Sequence, residues 1–105
     1  MGLFSFFKNT TRDNEFLKGF ASRVNGVLVY TKDNEKVTAE LKALQKDFQY
    51  ATPSAKKEAK KIEKKISEEY EALVAKLETP NWMEDDVMLS INKLRRLIVE
   101  ISSLR

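Results

Sequence analysis

Any acid–base or metal chemistry in this chain has to run on carboxylates, because its 105 residues include neither His nor Cys. That removes imidazole catalysis, thiolate nucleophiles, disulfides and Cys/His zinc sites together. The carboxylates are dense in two places, Glu68-Glu69-Glu71 and Glu84-Asp85-Asp86. The second reads as the acidic first turn of a helix, where negative charge complements the positive end of the dipole. The first reads as the acidic half of a charge-segregated helix. Neither has the spacing of a calcium loop, and the paired Glu-x-x-His units of helical metal sites need the missing His. The sequence has no phosphate-binding glycine loop, no Gly-x-Ser-x-Gly elbow and no dinucleotide fingerprint. No catalytic residue, metal ligand, cofactor or small-molecule substrate is therefore expected, and the chain reads as a non-enzyme.

Three groupings have instead the composition of binding surfaces. Lys56, Lys57, Lys60, Lys61, Lys64 and Lys65 are six lysines in ten residues. On a helix they cover about half the circumference, opposite Ala55, Ala59, Ile62 and Ile66. Such a face suits phosphates, each contact adding salt-dependent affinity. Lacking Arg and interleaved aromatics, it equally suits the solvated flank of a coiled coil. The second grouping is Leu3, Phe4, Phe6 and Phe7, which gathers three of the six Phe ahead of the first helical pattern. Its composition fits a short membrane-surface anchor, a plug for a partner's groove, or a segment folded back over the end of the bundle.

The third grouping lies on the last helix. Val87, Ile91, Leu94, Leu97, Ile98, Ile101 and Leu104 share an apolar arc that Met88 and Val99 widen to roughly 220° at about 100° per residue. One neighbouring helix cannot cover that width, so either this helix is central or part of it packs on another chain. Trp82 and Met83, in the turn before it, are a hot-spot pair or the plug of a helical corner.

The elements that carry these groupings follow from apolar residues three and four apart. A first helix is predicted over 14–30, with Phe16, Phe20, Val24, Val27 and Thr31 in line, Leu17, Ala21 and Leu28 beside them, and Asp13 as N-cap. Within it, Val24-Asn25-Gly26-Val27-Leu28-Val29-Tyr30-Thr31 also has the β-branched and aromatic content and the Asn-Gly pair of a hairpin. Helix is preferred there, because an isolated hairpin lacks the third strand it needs. A second helix is predicted over 34–50, with Val37, Leu41, Leu44 and Phe48 inward, Asp33 as cap and a Lys36/Glu40 pair along its surface. Thr52-Pro53 is the start signal of a third, running to Glu78 through Ala59, Ile62, Ile66, Glu69 or Tyr70, Leu73 and Leu77, a near-heptad series that suggests an antiparallel coiled-coil arm. Thr79-Pro80-Asn81 breaks it, and the fourth spans 84–104.

The architecture expected is an all-α, four-helix antiparallel bundle whose last two helices form a long hairpin. It comprises a Phe-rich segment over 1–12 and one helical domain over 13–105. A net charge of +3 and a pI near 9.1 are too mild to imply nucleic acid, although residues 1–32, with five basic and two acidic groups, hold an excess equal to the whole. No stretch approaches the roughly 20 apolar residues of a membrane span, and Met1 to Lys8 lacks the form of a secretory signal, so a cytoplasmic protein is expected. The functional expectation is a protein-binding module, an adaptor, assembly component or small inhibitor, that docks on a protein partner or on copies of itself to form a homo-oligomer. The contact residues expected are Leu3, Phe4, Phe6, Phe7, Trp82, Met83, Met88, Leu97, Val99 and Leu104. The alternative is a peripheral binder of nucleic acid or of an anionic membrane surface, using the lysine face and the N-terminal Phe cluster.

Overall fold

The computed structural model describes residues 16–52 and 56–104, which form four helices and no strand. Helix α1 covers 16–27, α2 Glu35–Tyr50, α3 Lys57–Glu78 and α4 Glu84–Ser102. Between α1 and α2 the chain tightens into one 3-10 turn, Leu28–Thr31. The Phe-rich segment and Asp13 lie outside the described residues.

Each helix buries the stripe that its spacing dictates. Leu17, Phe20, Ala21, Val24 and Val27 of α1, Val37, Leu41, Leu44 and Phe48 of α2, Ala59, Ile62, Ile66, Tyr70, Leu73 and Leu77 of α3, and Val87, Ile91, Leu94, Ile98 and Ile101 of α4 form one core. Three rings sit at its centre. Phe20 stacks on Phe48 with centroids 5.2 Å apart and lies 5.0 Å from the Tyr70 ring, while Phe48 and Tyr70 meet edge-on at 6.3 Å. Truncating a ring buried this fully costs about 3–5 kcal/mol through lost transfer energy and the cavity left behind.

The preferred helical reading holds through Asn25-Gly26, where no hairpin forms. Several local expectations are corrected: the first helix narrows to 3-10 geometry at Leu28 before its expected end at Tyr30. Thr31 there is fully buried, its hydroxyl donating to the Leu28 carbonyl while Thr38 donates to the Thr31 carbonyl. The cap of α2 is Asn34 rather than Asp33. Asn34 has the extended backbone that a cap position requires, and its side chain accepts from the Val37 N–H at 3.0 Å. Lys36 and Glu40 do not pair with each other along the surface; Lys36 reaches Glu84 and Glu40 reaches Arg95, both on α4. Nor does α3 begin at Thr52. Its first helical residue is Lys57, and the Thr52 N–H is taken by the Ser102 hydroxyl at 3.2 Å, tying the end of α2 to the end of α4. The break after α3 holds as expected, with Asn81 in the left-handed conformation at φ 59° that its short amide side chain tolerates.

The hairpins α1–α2 and α3–α4 lie side by side. Partners across α2 and α4 are separated by a nearly constant interval: Asn34 with Glu84, Asp47 with Arg95, Thr52 with Ser102. The same holds for Arg23 with Glu71 across α1 and α3. A constant difference means parallel helices, so each hairpin is antiparallel within itself while α1 runs parallel to α3 and α2 to α4. Both α1 and α4 are flanked by α2 and α3, and the α2-to-α3 connection crosses the diagonal. The buried positions 37, 41, 44 and 48 therefore recur fifty residues on, at 87, 91, 94 and 98. This is a repeat of core positions that residue identities alone do not advertise.

Candidate functional site

Because α4 is wedged between α2 and α3, most of its wide apolar arc is covered within the chain. Met88 and Leu97, on opposite flanks, are half-buried against the core, as are Trp82 and Leu104. The requirement for a second chain to cover the whole arc therefore falls away. Val99 at its edge stays in solvent, and Leu89, which the sequence reading passed over, is exposed on the side of α4 away from the arc.

Of the ten contact residues expected from sequence, Leu3, Phe4, Phe6 and Phe7 lie outside the described residues. The other six do not form one patch. Trp82, Met83 and Met88 are at the start of α4, whereas Leu97, Val99 and Leu104 are at its end, about 20 Å away at 1.5 Å per residue. Met83 is exposed at the N-cap position of α4 without a capping hydrogen bond from its side chain.

The apolar surface that does cohere lies over the α2–α4 seam. Tyr50, the last residue of α2, and Val99 are 77% and 65% exposed, the highest among the large hydrophobic side chains of the described residues. Both line one open groove with Lys46, Asp47, Ala51, Ile98, Ser102 and Ser103. A second depression, about 520 Å³, adjoins it through Asp47 and Val99 and is walled by Asn92, Arg95 and Arg96. The floor is fixed by Arg95, whose Nε donates to Asp47 Oδ2 at 2.7 Å and whose Nη1 lies 3.5 Å from Glu40 Oε2. The hydrogen bond to Asp47 and the two nearby carboxylates hold the Arg95 guanidinium protonated beyond its ordinary range, against partial burial. Tyr50 was missed because it lies two residues past the last stripe position, Phe48. An aromatic residue off the stripe, at the last position of a helix, was the available signal.

On the opposite flank, α3 and α4 enclose a depression of about 450 Å³ lined by Lys65, Glu68, Glu69, Lys93, Arg96, Leu97 and Glu100. Its charges alternate, and Lys93 reaches Glu69 at 4.0 Å. Deeper in the same interface, Lys76 donates to the buried Ser90 hydroxyl at 2.8 Å and to the Asp86 carbonyl at 3.1 Å. Of the two acidic clusters, Glu84, Asp85 and Asp86 form the first turn of α4, and Glu69 and Glu71 pair with Lys93 and Arg23. Among the described residues, no group of three or more acidic side chains is arranged to hold a metal ion.

Lys56, Lys57, Lys60, Lys61, Lys64 and Lys65 are all exposed, on the first part of α3. Among the described residues, no helix is long and apolar enough to cross a membrane. No family model, curated protein or solved structure matches this chain.

Proposed function

We propose that this chain is a non-catalytic protein-binding module that docks through the α2–α4 face. The observation that carries this reading is that the two most exposed large hydrophobic side chains among the described residues, Tyr50 and Val99, share one groove over a seam braced by Arg95. Apolar groups rimmed by polar ones mark interaction surfaces, and an exposed Tyr is a residue type enriched at hot spots. The rim carries both signs, with Lys46 of the groove and Arg95 and Arg96 of the adjoining depression against Asp47, which lines both. A surface of that kind is self-complementary, as a two-fold interface requires, so a second copy of the chain is the partner it fits best.

Sedimentation velocity across a concentration series tests this. Wild-type protein is expected to shift from monomer to dimer, and Val99→Asp, which sets a charge in the groove, is expected to stay monomeric with unchanged helicity. A wild-type chain that sediments as a monomer at every concentration would exclude the homotypic form. Docking on another protein then stands or falls on whether a photoreactive residue at position 50 forms a discrete cross-linked adduct in cells.

A further inference from the structure

The fifty-residue repeat of core positions in α2 and α4 also relates their outward side chains. Asn34 meets Glu84 and Thr52 meets Ser102 across the seam, so on these parallel helices Lys46 stands level with Arg96 and Tyr50 with Glu100. All four are exposed. Lys46, Arg96 and Glu100 make no ion pair among the described residues, whereas Arg23, Lys36, Lys93 and Arg95 all do. Each helix thus carries a cation and, one turn later, a group that attracts cations: the ring of Tyr50 on α2 and the carboxylate of Glu100 on α4. Arg96 stands at the edge of the face, lining the depression beside Val99 and also the α3–α4 depression that Glu100 lines.

Two copies that meet face to face are related by a two-fold axis in the plane of the interface, running either along the helices or across them. An axis along the helices keeps every level unchanged and lays α2 on the partner's α4. It sets Lys46 against the partner's Arg96 in two symmetry-related places, and like charges so opposed disfavour the contact. An axis across the helices lays each helix antiparallel on its own counterpart, where residues equidistant from the axis meet. Midway between the two levels, beside Phe48 and Ile98, such an axis brings Lys46 to the partner's Tyr50 and Arg96 to the partner's Glu100. Val99 is one residue from that level, about 1.5 Å along the helix, so the two Val99 side chains meet near the centre.

We infer that two copies of this chain pair antiparallel about a two-fold axis lying across α2 and α4, with Arg96 on the partner's Glu100 and Lys46 on the partner's Tyr50 ring. This rests on the reading of a second copy as the partner of the α2–α4 face, and adds the orientation and the residues that select it. Arg96 and Glu100 flank the contact as edge charges flank paired helices, setting orientation more than affinity. Along α4 the overlap runs from Asn92 to Leu104, roughly 18 Å of helix, so the dimer is expected to dissociate on dilution.

Arg96→Glu and Glu100→Arg are compared with wild type by sedimentation velocity, each alone, as a 1:1 mixture, and combined in one chain. Each single variant sets like charges together at two places and is expected to weaken dimerisation at least about tenfold, less in high salt. The mixture restores opposite charges at both places, as does the double variant, and both are expected to dimerise within about threefold of wild type. Misfolded chains would not rescue each other, so the mixture also guards against a folding defect in either variant. Single variants that dimerise as wild type does, an Arg96→Glu chain that dimerises more tightly, or a mixture no better than its components would each overturn the antiparallel pairing. If Val99→Asp still abolishes the dimer in those cases, the docking face itself stands. A wild-type chain that is monomeric at every concentration overturns both.

Discussion

Arg95 Nε sits 2.7 Å from Asp47 Oδ2, joining α4 to α2 in the depression that adjoins the groove lined by Tyr50 and Val99. The pair is half-exposed, so its contribution is that of a surface ion pair with good geometry, about 1 kcal/mol. A double-mutant cycle of Arg95→Ala and Asp47→Ala, read by urea unfolding, is expected to give a coupling of that size, shrinking as salt is added. A coupling indistinguishable from zero would mean that the pair does not brace the seam.

Tyr70 is buried among Phe20 and Phe48, and among the described residues its hydroxyl is the one buried side-chain polar atom without a hydrogen-bond partner. Tyr70→Phe removes a desolvated, unpaired group and is expected to stabilise the protein by about 1 kcal/mol near neutral pH. Burial also raises the Tyr70 pKa above the ordinary value near 10, against the opposing pull of Arg23, whose guanidinium lies 4.7 Å from the ring centroid. The folded state therefore keeps this proton after the unfolded chain has released it. Stability attributable to the protonated ring is full below pH 10 and lost as pH rises from there through the folded value. Wild type is expected to lose stability more steeply than Tyr70→Phe in alkaline denaturation, and parallel curves would contradict the assignment.

Asn34 serves two helices at once, accepting from the Val37 N–H as the cap of α2 and donating to Glu84 Oε1 at 2.9 Å on α4. Asn34→Ala is expected to cost about 1–2 kcal/mol, chiefly from the cap. Asn34→Asp keeps the acceptor but sets a carboxylate against Glu84. Its loss is expected to be smaller and to be relieved by salt, which thermal melts at two ionic strengths would reveal.

Gly26 lies inside α1, has no positive φ, and an added Cβ would meet nothing within 4 Å. Gly26→Ala is accordingly expected to stabilise by about 0.4–1 kcal/mol, by restricting the unfolded chain and improving helix propensity. A hairpin turn at Asn25-Gly26 would give the opposite sign, so a lowered melting temperature would overturn the helical reading.

The fold was legible because its stripes are regular. Val37, Leu41, Leu44 and Phe48 alternate by four, three and four residues and are all fully buried. At Gly26 the β-branched neighbours pulled toward strand, and the absence of any third strand decided the matter. Cap identities were harder to read, since Asp33 and Asn34 are chemically interchangeable as caps and only backbone conformation distinguishes them. What sequence could not reach was which helices neighbour which. The diagonal crossing, and with it the groove between α2 and α4, depends on how two hairpins dock. Tyr50 and Val99 become partners only through that docking, and neither belongs to a motif. The lysine face was visible from the start.

That same register makes the molecule a noncovalent complex of two halves that happen to be linked. Each hairpin closes locally, and the side-chain bonds between them among the described residues, from Asn34–Glu84 at one end to Thr52–Ser102 at the other, join residues about fifty positions apart. The crossing segment between Tyr50 and Lys57 thus acts mainly by fixing the effective concentration of one hairpin for the other. Two chains that exchanged their second hairpins would satisfy the same contacts between molecules, giving this fold a built-in route to a swapped dimer.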